Sequence, residues 1–206
     1  MLKTESLSYA YPKGSVLDFP NVEIDNNALI LGASGGGKST FLHLLTGITP
    51  LQKGYVTFDQ NTYSSSEQSQ LDKYRGQNIS MIFQKPQFFP ALTVMENLRV
   101  QNMARKTPIS EKDATEVLEQ LEISAEAHKN IKYLSVGQRQ RVSIARALIA
   151  KPKWIFADEP TSALDDKNAQ RVIDLLLQNS MSQKAQLIVV THDTRLREHF
   201  DQIIQL

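Results

Sequence analysis

The stretch GASGGGKST, residues 32–40, gathers Gly32, Gly35, Gly36 and Gly37 in a chain that has nine glycines among 206 residues. Glycine loses more backbone freedom on folding than any other residue, so such a cluster must serve the backbone itself. It fits the pattern G-x-x-x-x-G-K-[ST] and lies between the apolar run ALIL, residues 28–31, and a helical pattern that starts at Lys38. In that context the chain curls so that successive amide N–H groups point at one anion, with the helix N-terminus adding a favourable dipole. Side chains would block the approach. The segment Gly32, Ser34, Gly35, Gly36, Gly37 and Thr40 therefore reads as a cradle for phosphates. Lys38 would reach the β- and γ-phosphates, and the Ser39 hydroxyl would bind Mg²⁺.

A second element is WIFADEP, an apolar run ending in Asp158 and Glu159. Beside a phosphate loop, one carboxylate at such a strand end can orient Mg²⁺ through its waters while the next polarises an attacking water. Alone, two acids after a strand would read as a solvated turn. Joined to the phosphate loop, they point to nucleotide hydrolysis.

The third element is Leu134-Ser135-Val136-Gly137-Gln138, followed by RQRVSIARALIA. It is similar to the signature motif of ABC-type ATPases, usually written LSGGQ. Other family elements follow in order. Gln84 after ISMIF resembles the Q-loop glutamine, Ser162-Ala-Leu-Asp165 looks like the D-loop, and His192 after LIVVT resembles the switch histidine. Tyr11 in YAYPKG is similar to the aromatic that stacks on adenine, though a packed loop aromatic is the alternative. The resemblance runs from about Leu2 to the last residue.

It implies an α/β phosphate-loop NTPase with a mainly parallel central sheet, an N-terminal antiparallel β part and an inserted helical subdomain. The core would comprise residues 1–85 and 151–206, and the helical subdomain residues 86–150. In this family two cassettes pair head to tail, so that each ATP lies between the phosphate loop of one copy and the signature motif of the other. Ser135, Gly137 and Gln138 would then meet the partner's nucleotide. Glu159 would be the general base, Asp158, Ser39 and Gln84 would serve Mg²⁺, Gln84 would also sense the attacking water, and His192 would contact the γ-phosphate. Asp165 would connect the two sites. Val136 departs from the family's usual glycine, and a backbone with φ > 0 there would be strained.

The elements that must position these residues are legible as short apolar runs alternating with amphipathic stretches. ALIL (28–31), ISMIF (79–83), WIFA (154–157) and LIVV (187–190) read as buried parallel strands. Residues 38–46 read as a helix ending at Gly47. A second helix is predicted from a Ser110 cap with Asp113 three residues on, with Val117, Leu118 and Leu121 inward. Residues 135–150 and 166–181 give two more, the last opening on aspartates that suit a helix N-terminus. NTYSSSEQSQ, residues 61–70, reads as a polar surface loop.

Composition narrows the functional classes. A net charge of +1, with 41% hydrophobic and 22% charged residues, gives no general attraction to nucleic acid or an anionic membrane. The absence of cysteine excludes disulfides and thiol catalysis. No run approaches a membrane span and MLKTESLSYA carries no apolar signal segment, so the chain is expected on the cytoplasmic face of a membrane, held there by a partner. With FDQIIQL following soon after His192, the chain is expected to lack the extra C-terminal regulatory domain of some sugar importers. His43, His128 and His199 have no ligand-like spacing, and Trp154 is expected in the core. Phe88, Phe89 and Pro90 belong either to subdomain core or to a groove for a membrane partner.

The expected function is the ATP-hydrolysing subunit of an ABC transport system, acting with a second nucleotide-binding subunit, by the resemblance as a homodimer, and with an integral membrane permease. LDKYRGQNISMIFQKPQFFPALTVMENL looks like the lipoprotein-releasing, macrolide-exporting and cell-division group. Polar amino-acid importers share much of it. A soluble ABC ATPase acting on nucleic acid or ribosomes is the rival, set back by the single cassette and the lack of cysteine for zinc modules.

Overall fold

The computed structural model describes residues 1–12, 14–101, 109–162 and 164–206. Lys13 of the YAYPKG stretch and Ala163 of the D-loop stretch lie outside the described residues. The elements in chain order are β1 (Leu2–Ala10), β2 (Val16–Asp18), β3 (Glu23–Ile24), β4 (Ala28–Leu31), α1 (Lys38–Leu45), β5 (Lys53–Phe58) and β6 (Asn61–Tyr63). They continue as α2 (Gln68–Asn78), β7 (Ile79–Ile82), α3 (Val94–Gln101), α4 (Glu111–Gln120), α5 (Val136–Ile149), β8 (Trp154–Asp158), α6 (Asp166–Gln183), β9 (Gln186–Thr191) and β10 (Gln202–Gln205). They fall into two compact units, Met1–Gly76 with Ile188–Leu206, and Gln77–Leu187.

The first unit holds an antiparallel sheet of order β2-β1-β5-β6, with β3 also on β1. It also holds parallel pairings, in which Ala28 to Leu31 face Gln202 to Gln205 on one side and Ile188 to Thr191 on the other. All of β4 is buried, as expected of a strand with neighbours on both edges. Behind it α1 buries Phe41, Leu42, Leu44 and Leu45, and the Phe41 ring stacks on Phe19 with centroids 5.0 Å apart. Each such side chain contributes roughly 1.5–3 kcal/mol by leaving water. The helix ends where Gly47 takes φ 67, which a side chain would also block by meeting Leu71 at 2.7 Å.

Residues 61–70, expected as loop, are ordered differently. Asn61 to Tyr63 pair with β5, and the hydroxyls of Thr57 and Thr62 lie 2.9 Å apart across the pair. Ser64 and Glu67 then form a capping box that leads into α2. Serine and glutamate three apart are favoured at a helix start, so what reads as a polar run is a strand end and a helix start in succession.

The second unit pairs β7 and β8 in parallel, Ile79 opposite Trp154 through Ile82 opposite Ala157. Trp154 and the rest of β8 are buried. Here α5 buries Val142, Ile144, Ala145, Leu148 and Ile149, following helical spacing. The expected cap of α4 is present, with Ser110 Oγ accepting from Asp113 N at 3.0 Å. Leu118 and Leu121 are buried and Val117 is half-buried. Among the described residues no strand lies between Ile82 and Trp154. No helix among them is long and apolar enough to cross a membrane.

Candidate functional site

In the first unit, β4 delivers the chain into the glycine loop and α1 takes it away. Gly35 and Gly37 adopt φ 78 and φ 85, conformations that cost other residues about 1–2 kcal/mol. Gly37 occupies the cap position of α1, and a Cβ there would meet Leu17 at 3.1 Å. At Gly32 a Cβ would come within 3.0 Å of the Leu206 carbonyl oxygen. Lys38 is buried, and its Nζ donates to the carbonyl oxygens of Gly32 and Ala33 at 2.9 and 2.8 Å. The ammonium thus closes the loop upon itself. Gly36 N, donating to Ala33 O at 3.0 Å, completes the curl, while Ala33, Ser34, Gly35 and Gly36 are exposed. An anion can therefore reach this loop from solvent with a cation already fixed against it.

Tyr11 joins this group from the end of β1. Its hydroxyl is 2.6 Å from Thr40 Oγ1, its ring meets Tyr9 edge-on at 4.9 Å, and it remains 45% exposed. Ser39 lies beside Thr40 in the first turn of α1. His192 follows β9 and is exposed. Around it, the Thr191 hydroxyl accepts from Asp193 N at 3.0 Å. Asp193 takes a forked pair of bonds from Arg195, at 2.9 and 2.7 Å, and these hold its carboxyl below the usual range.

In the second unit Asp158 ends β8 and Glu159 follows it, both buried and both acidic. Glu159 has φ 47, a backbone conformation that glutamate seldom adopts and that is enriched at functional sites. The turn beyond it is held by Gln140 of α5, itself buried, whose Nε2 donates to Pro160 O at 2.9 Å. Ser162 donates to Glu159 O from both its amide and its hydroxyl, at 3.2 and 3.1 Å. Gln84 is exposed, just beyond β7. Phe88 is half-buried under the Arg146 guanidinium, 5.4 Å from the ring centroid, while Phe89 is exposed.

Ser135 caps α5 in a capping box. Its Oγ accepts from Gln138 N at 3.2 Å, and Gln138 Oε1 accepts from Ser135 N at 2.9 Å. Gln138 in turn donates from Nε2 to Glu126 at 3.0 Å. The Ser135 oxygen acts as acceptor in this bond, and the hydroxyl keeps its own proton to donate. Val136 is the first helical residue and does not take a positive φ, so the strain anticipated there is absent. Gly137 has no internal steric requirement, since a Cβ would meet only Leu164, at 3.8 Å.

Asp165 caps α6. Its carboxylate accepts from Asn168 N at 2.9 Å and from Asn168 Nδ2 at 2.7 Å, bonds that lower its pKa. Nothing in the sequence alone singled out Asn168 or Glu126. Gln140 had a signal, because helical spacing sets it in line with the buried Ile144 and Leu148, where a polar residue requires a partner.

The residues assigned to Mg²⁺ offer a hydroxyl from Ser39, a carboxylate from Asp158 and an amide oxygen from Gln84. All are hard oxygen donors, which suits a small divalent cation that keeps some of its water. Among the described residues no group of three or more histidine or acidic side chains is placed to hold a metal ion.

A strand feeding a glycine loop closed by its lysine, with a buried acid pair ending another strand, defines a phosphate-loop nucleoside triphosphatase. The ABC transporter family matches over residues 20–162, and the chain belongs to that family. The lipoprotein-releasing system ATP-binding protein LolD of Hydrogenovibrio crunogenus is 36% identical, over 100% of this chain and 93% of that one. The LolD protein of Legionella pneumophila is 38% identical over 86% of this chain and 79% of its own length. A dimeric bacterial ABC transporter cassette superposes with a TM-score of 0.90 at 31% identity, over 100% of this chain and 94% of that one. A dimeric post-hydrolysis cassette bound to ADP and Pi gives 0.89 at 32%, with the same coverage. The fold is that of the ABC ATPases, and the chain is an ATP-binding, ATP-hydrolysing subunit of ABC transport.

Proposed function

We propose that this protein powers a transport system of the lipoprotein-releasing type, as a pair of cassettes on the cytoplasmic face of a membrane. The observation that carries the reading is the 36% identity to a lipoprotein-releasing ATP-binding protein over the full length of this chain. An integral membrane partner supplies the spans, and the helical stretch of residues 86–150 is the subdomain that faces it. No nucleic acid takes part.

In each copy the loop amides and Lys38 hold the phosphates of ATP, and Tyr11 stacks on the adenine. Ser39, Asp158 and Gln84 would hold Mg²⁺, which when bound would neutralise phosphate charge. Glu159 accepts the proton of the attacking water as its oxygen bonds to the γ-phosphorus and the bond to the ADP oxygen breaks. Its burial and its constrained backbone fix that carboxylate in one orientation. Gln84 orients the water and His192 donates to the γ-phosphate. Ser135 O–H, Gly137 N–H and Gln138 close over the nucleotide held by the other copy, and Asp165 links the two sites. ATP binding thus favours the closed pair and hydrolysis releases it.

Affinity purification from gently solubilised native membranes tests the transport reading. The expected companion is a protein with few spans and a large extracytoplasmic domain. Recovery of a many-spanned permease would move the chain to the importers, and recovery of ribosomes or DNA without a membrane protein would overturn transport altogether.

A further inference from the structure

Two successive residues of α5, Gln140 and Arg141, bond to Pro160, just beyond the acid pair, and to Asn168 in the first turn of α6. Gln140 holds Pro160 O, as described. Arg141 Nη1 donates to Leu121 O at 3.0 Å and to Glu122 at 3.2 Å, while Nη2 donates to Asn168 Oδ1 at 3.0 Å. Asn168 Nδ2 then donates to Asp165. The guanidinium can only donate and the Asp165 carboxylate, when ionised, can only accept, so the orientation of the Asn168 amide is fixed by its two partners. Arg141 is only 19% exposed, and its planar fork meets three acceptors at once.

We propose that Gln140 and Arg141 are positioning residues that tie Pro160, next to Glu159, and Asn168, which holds Asp165, to the helix carrying Ser135 and Gly137. The helix end that meets the other copy's nucleotide, the base Glu159 and the linking Asp165 then move as one piece. This rests on the reading given under Proposed function, in which Ser135 and Gly137 serve the nucleotide of the other copy. Neither residue touches the reacting atoms. Each acts by keeping the base in register with closure at the opposite site, and a small displacement of a catalytic group is enough to cost rate.

The test is Asn168→Asp in the full chain. The new carboxylate still accepts from Arg141 but cannot donate to Asp165, and two carboxylates replace one hydrogen bond. The expected result is a kcat about tenfold lower, with affinity for a fluorescent ATP analogue within about twofold of the parent. An unchanged kcat overturns the clamp, and so does a loss matched by a parallel loss of affinity. If this variant does not fold, Arg141→Lys, which keeps the charge and loses the fork, is expected to lower kcat by a similar factor at unchanged affinity, and a parental kcat overturns the clamp. Glu159→Gln, run alongside, separates the two levels of argument. Normal hydrolysis in that variant defeats the assignment of the base, whereas loss of hydrolysis there with a parental Asn168→Asp defeats the clamp alone.

Discussion

The Tyr11 hydroxyl lies 2.6 Å from Thr40 Oγ1, tying the end of the first strand to the first turn of the helix behind the phosphate loop. The residue is 45% exposed, which leaves part of its ring accessible to a planar partner. Tyr11→Phe keeps the face and loses only a partly solvated hydrogen bond, typically about 0.5–1.5 kcal/mol. Tyr11→Ala removes the stacking surface, worth roughly 1–3 kcal/mol against a base. Titration with a fluorescent ATP analogue should therefore show near-parental affinity for Tyr11→Phe, or a loss of at most about tenfold. The loss for Tyr11→Ala should be several-fold larger. Equal affinities for the alanine variant and the parent would make Tyr11 a packed loop aromatic.

The phosphate loop permits a comparison within itself. Gly35 and Gly37 both have positive φ, but nothing lies within 4 Å of a Cβ built at Gly35, whereas one at Gly37 meets Leu17 at 3.1 Å and Phe19 at 3.4 Å. Alanine at either position should cost about 1–2 kcal/mol in backbone strain. Gly37→Ala should cost about 1–3 kcal/mol more, from overpacking against those side chains. Urea denaturation checks the order. Equal midpoints for the two variants would mean that Leu17 and Phe19 yield without cost.

These contrasts also mark how far the sequence alone could be read. The glycine loop, the acid pair and the signature stretch are local patterns, and β4, β7, β8 and β9 are continuous apolar runs, so all were visible. The flanking sheet was not, except through family resemblance. Strand β1, LKTESLSYA, mixes polar and apolar residues without clean alternation and carries a bulge between Glu5 and Ser8. Helix α2 buries only Leu71, too little for an amphipathic pattern. Strand β10 is four residues long, and the register it takes beside β4 is set by tertiary contact. At the site, the hidden parts are the long-range polar links. Gln140 to Pro160 and Asn168 to Arg141 join positions far apart in the chain, and the φ of 47 at Glu159 has no counterpart in residue type.

Gly137 gives the most direct separation of an internal role from an external one. It is the second residue of α5, it has no positive φ, and a Cβ there would make only an ordinary contact with Leu164 at 3.8 Å. Within the chain alanine is therefore the better residue, favoured by about 0.5–1 kcal/mol in a helix. If this face of the helix serves only the chain itself, Gly137→Ala should raise the denaturation midpoint slightly and leave ATP hydrolysis intact. If it closes over the nucleotide of a second copy, the added methyl stands where a phosphate must approach the backbone. The expected outcome is an equal or higher denaturation midpoint, parental affinity of the single copy for the ATP analogue, and a loss of at least about tenfold in both hydrolysis and ATP-driven dimerisation, corresponding to about 1.4 kcal/mol or more. Size-exclusion chromatography with light scattering, performed with and without ATP in a Glu159→Gln background, reads the dimer directly. A Gly137→Ala protein that dimerises and hydrolyses like its parent would remove the signature helix from the site.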